Sequence, residues 1–155
     1  MKNILALLGF IALCLAAGAL GAAVTAPAIA SWYPTLVKPS FNPPNWIFGP
    51  MWTTLYVLMA IAAWLVWRRA GFAAARTAML LFVGQLVLNS LWSLLFFGLH
   101  RIDLALVDVV LLLVAIAATT LAFRRHSATA ALLLLPYLAW VSFATALNFA
   151  IWRLN

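Results

Sequence analysis

The sequence predicts an all-α membrane protein, a bundle of five transmembrane helices with a long Pro/aromatic-rich loop between helices 1 and 2. Three observations carry that expectation. Hydrophobic residues make up 68% of the 155, and charged ones only 7%, where a soluble domain carries roughly 25%. The charges are nine Lys/Arg and two Asp, with no Glu, and they sit singly or in pairs between apolar runs. Five of those runs reach the roughly 20 residues that a helix needs to cross the hydrocarbon. A water-soluble globule and a disordered chain are both excluded. The net charge of +7 invites a nucleic-acid reading, but such footprints need cations clustered on one face. No nucleic-acid partner is expected, and the chain reads as one membrane domain, 1–155.

The first helix is expected over about 4–26, in a stretch without charge from Asn3 to Ala30. Met1-Lys2 ahead of it resembles the start of a secretory leader, yet the apolar stretch exceeds a leader's usual core of roughly 7–15 residues. It is therefore read as a span, ended with help from Pro27 and Pro34. Helix 2 is expected over about 46–67, stopping at Arg68-Arg69, and helix 3 over about 77–99. Helix 4 covers about 103–123 up to Arg124-Arg125-His126, and helix 5 about 128–152 with Arg153 following. None of these runs alternates as a barrel strand would.

Five spans put Lys2, Arg68, Arg69, Arg76, Arg124 and Arg125 on one side, against Lys38, Arg101 and Arg153 on the other. The Lys/Arg bias then predicts an inside N-terminus. The expected host is a bacterial cell membrane, or a mitochondrial outer membrane if the chain is eukaryotic.

The connection from Ser31 to Trp46 packs four prolines and four aromatics into 16 residues. Proline fixes φ and removes a donor, so a stiff extended lid is expected rather than a helix. Its Trp and Tyr also suit an aromatic belt at the headgroups.

Polar residues inside spans are costly unless satisfied, so their placement is informative. Helix 3 carries Gln85, Asn89 and Ser93 at i, i+4 and i+8, flanked by Trp92 and Phe96. Helix 2 has Trp52 and Tyr56 one turn apart, and helix 5 has Tyr137, Trp140, Ala144 and Asn148 at helical spacing. Asp108 lies about one turn below the start of helix 4, free to pair with an indole or a backbone group. Each stripe alone could be interhelical glue. Together they could line an aromatic cavity with a few directional polar groups, suited to large flat apolar ligands. Cys14 is the lone cysteine, and His100 and His126 lack companions, so no disulfide, metal site or resident cofactor is expected. Two Asp and two His also leave acid–base catalysis poorly supplied.

Several blocks resemble the translocator protein, or tryptophan-rich sensory protein (TspO/MBR), family. They are Trp32-Tyr33-x4-Lys38-Pro39-Ser40-Phe41-x-Pro43-Pro44-x-Trp46, Gly49-Pro50-x-Trp52-x2-Leu55-Tyr56 and Gln85-Leu86-x-Leu88-Asn89-x2-Trp92. Phe96-Phe97-Gly98, Ala105-Leu106-Val107-Asp108 and Pro136-Tyr137-Leu138-Ala139-Trp140 through Trp152-Arg153 follow in the family's order. The resemblance implies a five-helix bundle, usually a homodimer, with a pocket under the first loop. It implies ligands among porphyrins, haem-like tetrapyrroles, sterols and benzodiazepine-type compounds. Carried over by position, the pocket uses Tyr33 from the lid and Trp52 and Tyr56 from helix 2. Asn89, Trp92 and Ser93 come from helix 3, and Trp140, Ala144, Leu147 and Asn148 from helix 5.

The expected function is a membrane receptor or sensor with a role in tetrapyrrole transport or regulation. Two other readings stay open. One is a light- and oxygen-dependent porphyrin-degrading enzyme, with Trp52 and Trp140 as its candidate residues. The other is a structural or partner-regulating membrane protein. Two departures from the family stand out. The sterol pattern on helix 5 has Leu147 and Arg153 but Phe149 in the tyrosine place. On helix 3, Gly84 is followed four residues later by Leu88, while helix 1 offers the small pairs Ala17/Gly21 and Gly18/Ala22.

Overall fold

Backbone polar groups cannot be left open to lipid, so an apolar chain of this kind must satisfy them within helices. The computed structural model describes residues 2–155 and is all-helical. Its helices are α1 (Lys2–Ser31), α2 (Phe48–Ala74), α3 (Arg76–Ser93), α4 (Ile102–Arg124) and α5 (Ala128–Leu154). Five helical stretches are long and apolar enough to cross a membrane, the shortest having 23 residues and so about 34 Å of rise. Large apolar side chains such as Leu5, Leu20, Leu80, Val87, Val114 and Leu132 point outward, a surface that only lipid would tolerate.

Two helix ends differ from expectation. Pro27 lies inside α1, which continues to Ser31. The proline removes the N–H that would bond the Ala23 carbonyl, a cost of one backbone bond within an otherwise continuous helix. Near the helix end the Ser31 hydroxyl donates to the Pro27 carbonyl at 2.8 Å. Likewise α2 does not stop at Arg68-Arg69 but continues regularly to Ala70, because long cationic side chains reach water from a continuing helix. At Gly71 the backbone leaves the helix, with φ 70° and ψ 176° that suit a residue without Cβ, and a short second helical stretch follows to Ala74. Helix α3 runs on through a π-helical turn, Leu94–Gly98, closed by Leu99 N–H to the Leu94 carbonyl at 2.8 Å. Ser127 caps α5 by accepting from the Ala130 N–H at 3.2 Å.

Between α1 and α2, residues 32–47 form two 3-10 turns, Tyr33–Thr35 and Asn45–Ile47, separated by irregular chain. The segment is thus not extended throughout, since Pro34 suits the first turn of a short helix.

Helix α4 packs against α3 and α5, α1 against α2 and α3, and α2 against α5. The buried residues of α1 are Cys14, Gly21 and Ala28, spaced by sevens into one narrow seam. Hydroxyls in the spans bond back one turn, as Thr119 to the Ala115 carbonyl (2.7 Å) and Thr145 to the Val141 carbonyl (2.8 Å). Asp108 is buried, and neither carboxylate oxygen has a hydrogen-bond partner among the described residues. The pairing with an indole or backbone group does not form.

Candidate functional site: an aromatic cavity inside the bundle

A cavity of about 480 Å³ opens between α1, α2, α3 and α5, beneath the 32–47 segment. Its upper wall is Tyr33, which the 3-10 turn folds inward until only 3% of it is exposed. The Tyr33 hydroxyl donates to Asn42 Oδ1 at 2.7 Å. Lys38 Nζ donates to the Tyr33 and Leu36 carbonyls at 2.8 and 2.9 Å and stands 4.9 Å from the Tyr33 ring centre. Burial pushes the Tyr33 phenol above its ordinary range, and the Asn42 bond partly offsets this. Asn155 pins the same segment, accepting from the Val37 N–H at 3.0 Å and donating to the Val37 carbonyl at 2.9 Å.

Below this lid the walls are rings. Trp52 lies 5.8 Å from Tyr56 and 6.2 Å, edge-on, from Tyr137. Trp140 meets Phe48 edge-on at 6.2 Å, and Trp92 stacks on Phe96 at 5.3 Å. Such offset and edge-to-face pairs fix ring orientation and leave flat faces for a guest.

The polar groups of the wall are largely spoken for. Tyr56 donates to Asn89 Oδ1 (2.6 Å), Asn89 Nδ2 to the Tyr137 hydroxyl (2.9 Å), and Tyr137 to Gln85 Oε1 (2.7 Å). Gln85 Nε2 ends the chain at Met59 Sδ, 3.6 Å away. This line of donors crosses three helices and satisfies every member in low dielectric. A second link runs from Trp92 Nε1 to Asn148 Oδ1 (3.0 Å) and from Asn148 Nδ2 to the Ile102 carbonyl (3.1 Å). Trp140 Nε1 is buried with no partner among the described residues.

The TspO/MBR family model matches residues 10–153. The chain belongs to the TspO/MBR family. It is 46% identical over 153 residues to the tryptophan-rich protein TspO of Archaeoglobus fulgidus, covering 99% of both chains. It is 49% identical to the protein of that name from Chlorobaculum tepidum, over 99% of this chain and 98% of the relative. The human translocator protein is 48% identical over 126 residues, 80% of this chain and 75% of the relative.

In this TspO/MBR chain the ten residues named from the sequence fall in one place. Tyr33, Trp52, Tyr56, Asn89, Trp92 and Ser93 line the cavity, as do Trp140, Ala144, Leu147 and Asn148. Gln85 and Tyr137, which share the stripes of Asn89 and Trp140, are absent from the lining and bond behind it. What sequence reasoning missed is the wall from α1, including Leu15, Gly18, Ala22 and Ile29, and the rings of Phe48 and Phe143. The signal lay in the small residues of helix 1, read there as a helix-pairing motif. A Cβ on Gly18 would sit 2.7 Å from the Tyr56 ring, and one on Gly21 3.1 Å from Ser93 Oγ. These glycines are consumed by close packing within the chain.

Proposed function

We propose that this chain, a single domain over 1–155, is a membrane receptor that takes a porphyrin or related tetrapyrrole into the cavity, with a role in moving or sensing it. The observation that carries this reading is the wall itself. Flat aromatic faces surround a space whose polar side chains mostly bond one another. A hydrophilic solute would find few open partners there. A large flat apolar ring would stack, at about 0.5–1.5 kcal/mol for each aromatic contact, in a volume within the range of small-molecule pockets. Sterols and benzodiazepine-type compounds suit the same chemistry. A sterol would enter this cavity rather than a helix-5 surface motif, where Phe149 stands exposed.

The 32–47 segment is the lid in this reading. The name of the human relative, translocator protein, accords with a role in moving a ligand. The reading includes a homodimer, which cross-linking in the bilayer tests, and a bacterial cell membrane as host.

The deciding experiment titrates the purified protein with protoporphyrin and follows tryptophan fluorescence. Saturable quenching is expected from the Trp52, Trp92 and Trp140 indoles of the wall. Trp140→Phe should remove part of the quench and weaken binding by about 1 kcal/mol. No saturable quench, or unchanged affinity in both Trp140→Phe and Trp52→Phe, overturns the reading. Because Trp52 and Trp140 share the cavity, light- and oxygen-dependent porphyrin degradation is the second reading. Product formation with turnover under illumination distinguishes it from binding alone.

A further inference from the structure

Away from the cavity, the largest store of unused chemistry is charge at one end of the bundle. Lys2 opens α1, Arg68 and Arg69 lie late in α2, Arg76 opens α3, and Arg124 and Arg125 close α4. Contacts tie these ends together. Trp64 Nε1 donates to the Asn3 carbonyl at 2.9 Å, Arg69 Nη1 donates to the His126 carbonyl at 3.3 Å, and Phe82 stacks on Phe123 at 5.9 Å.

All six cations are exposed, and among the described residues no carboxylate meets them. Among the described residues the one ion pair is Arg101–Asp103, 2.7 Å, at the opposite end, and the other acid, Asp108, is buried in α4. Lys38, also at that opposite end, gives its ammonium to two carbonyls. Six like charges without a counter-charge in the chain repel one another until an outside anion compensates them.

The surface next to these cations says which anion. One helical turn inward from Arg76 and Arg124 stand Leu80 and Leu121, and Phe72 follows Arg69 across the Gly71 break with its ring 6.4 Å from that of Phe10; each of the three is more than 60% exposed. A tier of cations above a tier of bare apolar side chains is complementary to a charged headgroup above an acyl chain. A soluble anion would leave the lower tier unmet. We propose that this end of the bundle is a docking surface for anionic phospholipids, with Arg69, Arg124 and Arg125 holding phosphodiester headgroups. Arg68, whose guanidinium carbon lies 4.5 Å from the Trp64 ring centre, extends the tier toward Lys2.

The test reconstitutes the full chain in nanodiscs of phosphatidylcholine alone or in an equal mixture with phosphatidylglycerol. Lipids retained on the released protein are counted by mass spectrometry, and the thermal midpoint is measured. Wild type should retain phosphatidylglycerol preferentially and melt higher in the mixture, and both effects should fade as salt rises. Arg124→Gln/Arg125→Gln should lower that retention about thirtyfold, which at about 1.4 kcal/mol per tenfold is about 2 kcal/mol, or about 1 per cation. Arg124→Lys/Arg125→Lys should keep most of it, and Arg153→Gln at the other end should change nothing. Equal retention of the two lipids by wild type, or retention insensitive to salt, overturns the proposal. So does inorganic phosphate raising the midpoint in phosphatidylcholine as much as phosphatidylglycerol does, since that assigns the cations to a free anion. The salt series on wild type keeps the proposal falsifiable if the glutamine variant fails to fold.

Discussion

Asn89 owes its orientation to a residue that does not line the cavity. Its amide donates to the Tyr137 hydroxyl while its oxygen accepts from Tyr56, so Tyr137 fixes which side of Asn89 faces which neighbour. Tyr137→Phe leaves the Asn89 N–H and the Gln85 oxygen without partners in a dry interior, at about 1–3 kcal/mol for each orphaned group. The thermal midpoint should fall, and porphyrin affinity should drop several-fold although the substituted ring has the same shape. An unchanged midpoint would mean that the chain of bonds contributes nothing. Ala144 sits on the cavity wall one turn after Trp140 and one turn before Asn148. A threonine there adds bulk, and its hydroxyl can bond back to the Trp140 carbonyl and bend α5. Overpacking a fitted wall costs about 1–3 kcal/mol, so Ala144→Thr should weaken rigid ligands about tenfold and flexible ones less. Paired affinities for one ligand of each kind check this, and equal affinities in mutant and wild type would take Ala144 out of the wall. The i, i+4 spacing of Trp140, Ala144 and Asn148 was legible because one helical face must present them together. The split of the Gln85/Asn89/Ser93 stripe was not. Spacing says that Gln85 and Asn89 share a face, whereas the Met59 sulfur that Gln85 meets is a long-range contact without any local signature.

Among the elements, the spans were readable because twenty apolar residues have no other stable state in a bilayer. Their ends were less so. Pro27 is a stop signal in water, but a helix in lipid keeps its backbone bonded wherever it can, and α1 runs on to Ser31. The Arg68-Arg69 pair ends the apolar run but not the helix, since arginine is a good helix former, and the break comes at Gly71. The 3-10 turn that buries Tyr33 was also hidden, since proline stiffness alone suits extended chain and short turn alike. That turn is held by Asn42 on one flank and by Asn155 on the other. Deleting Asn42 to Pro44 removes the first hold and keeps the second. The expected outcome is faster ligand release in stopped-flow fluorescence with a smaller change in thermal midpoint, because the deleted residues lie outside the helical core. Release at the wild-type rate would make the segment an interfacial anchor only.

At the scale of the whole molecule, α1 stands apart. In its most apolar stretch 11% of residues are buried, against 33–39% in the other four spans. The other four hold one another through α4 with α3 and α5, and through α2 with α5. Helix α1 meets them along a seam of small residues, Cys14, Gly21 and Ala28, with Gly18 against Tyr56, Phe10 against Trp67 and the Asn3 carbonyl accepting from Trp64. Its contribution was hidden in the sequence because glycine and alanine look the same whether they face a partner chain or their own. Without α1 docked the cavity lacks a wall, since Leu15, Gly18, Ala22 and Ile29 belong to its lining. A guest that needs that wall binds only the finished bundle, and mass action then favours completion by about 2.7 kcal/mol at a hundredfold excess over Kd. Protoporphyrin should therefore protect a cysteine placed at Ala22 from a membrane-permeant thiol reagent, and labelling at wild-type speed with saturating ligand would contradict it. In a cell, where unfinished membrane proteins are continually culled, any guest that completes the wall would lengthen the life of this chain.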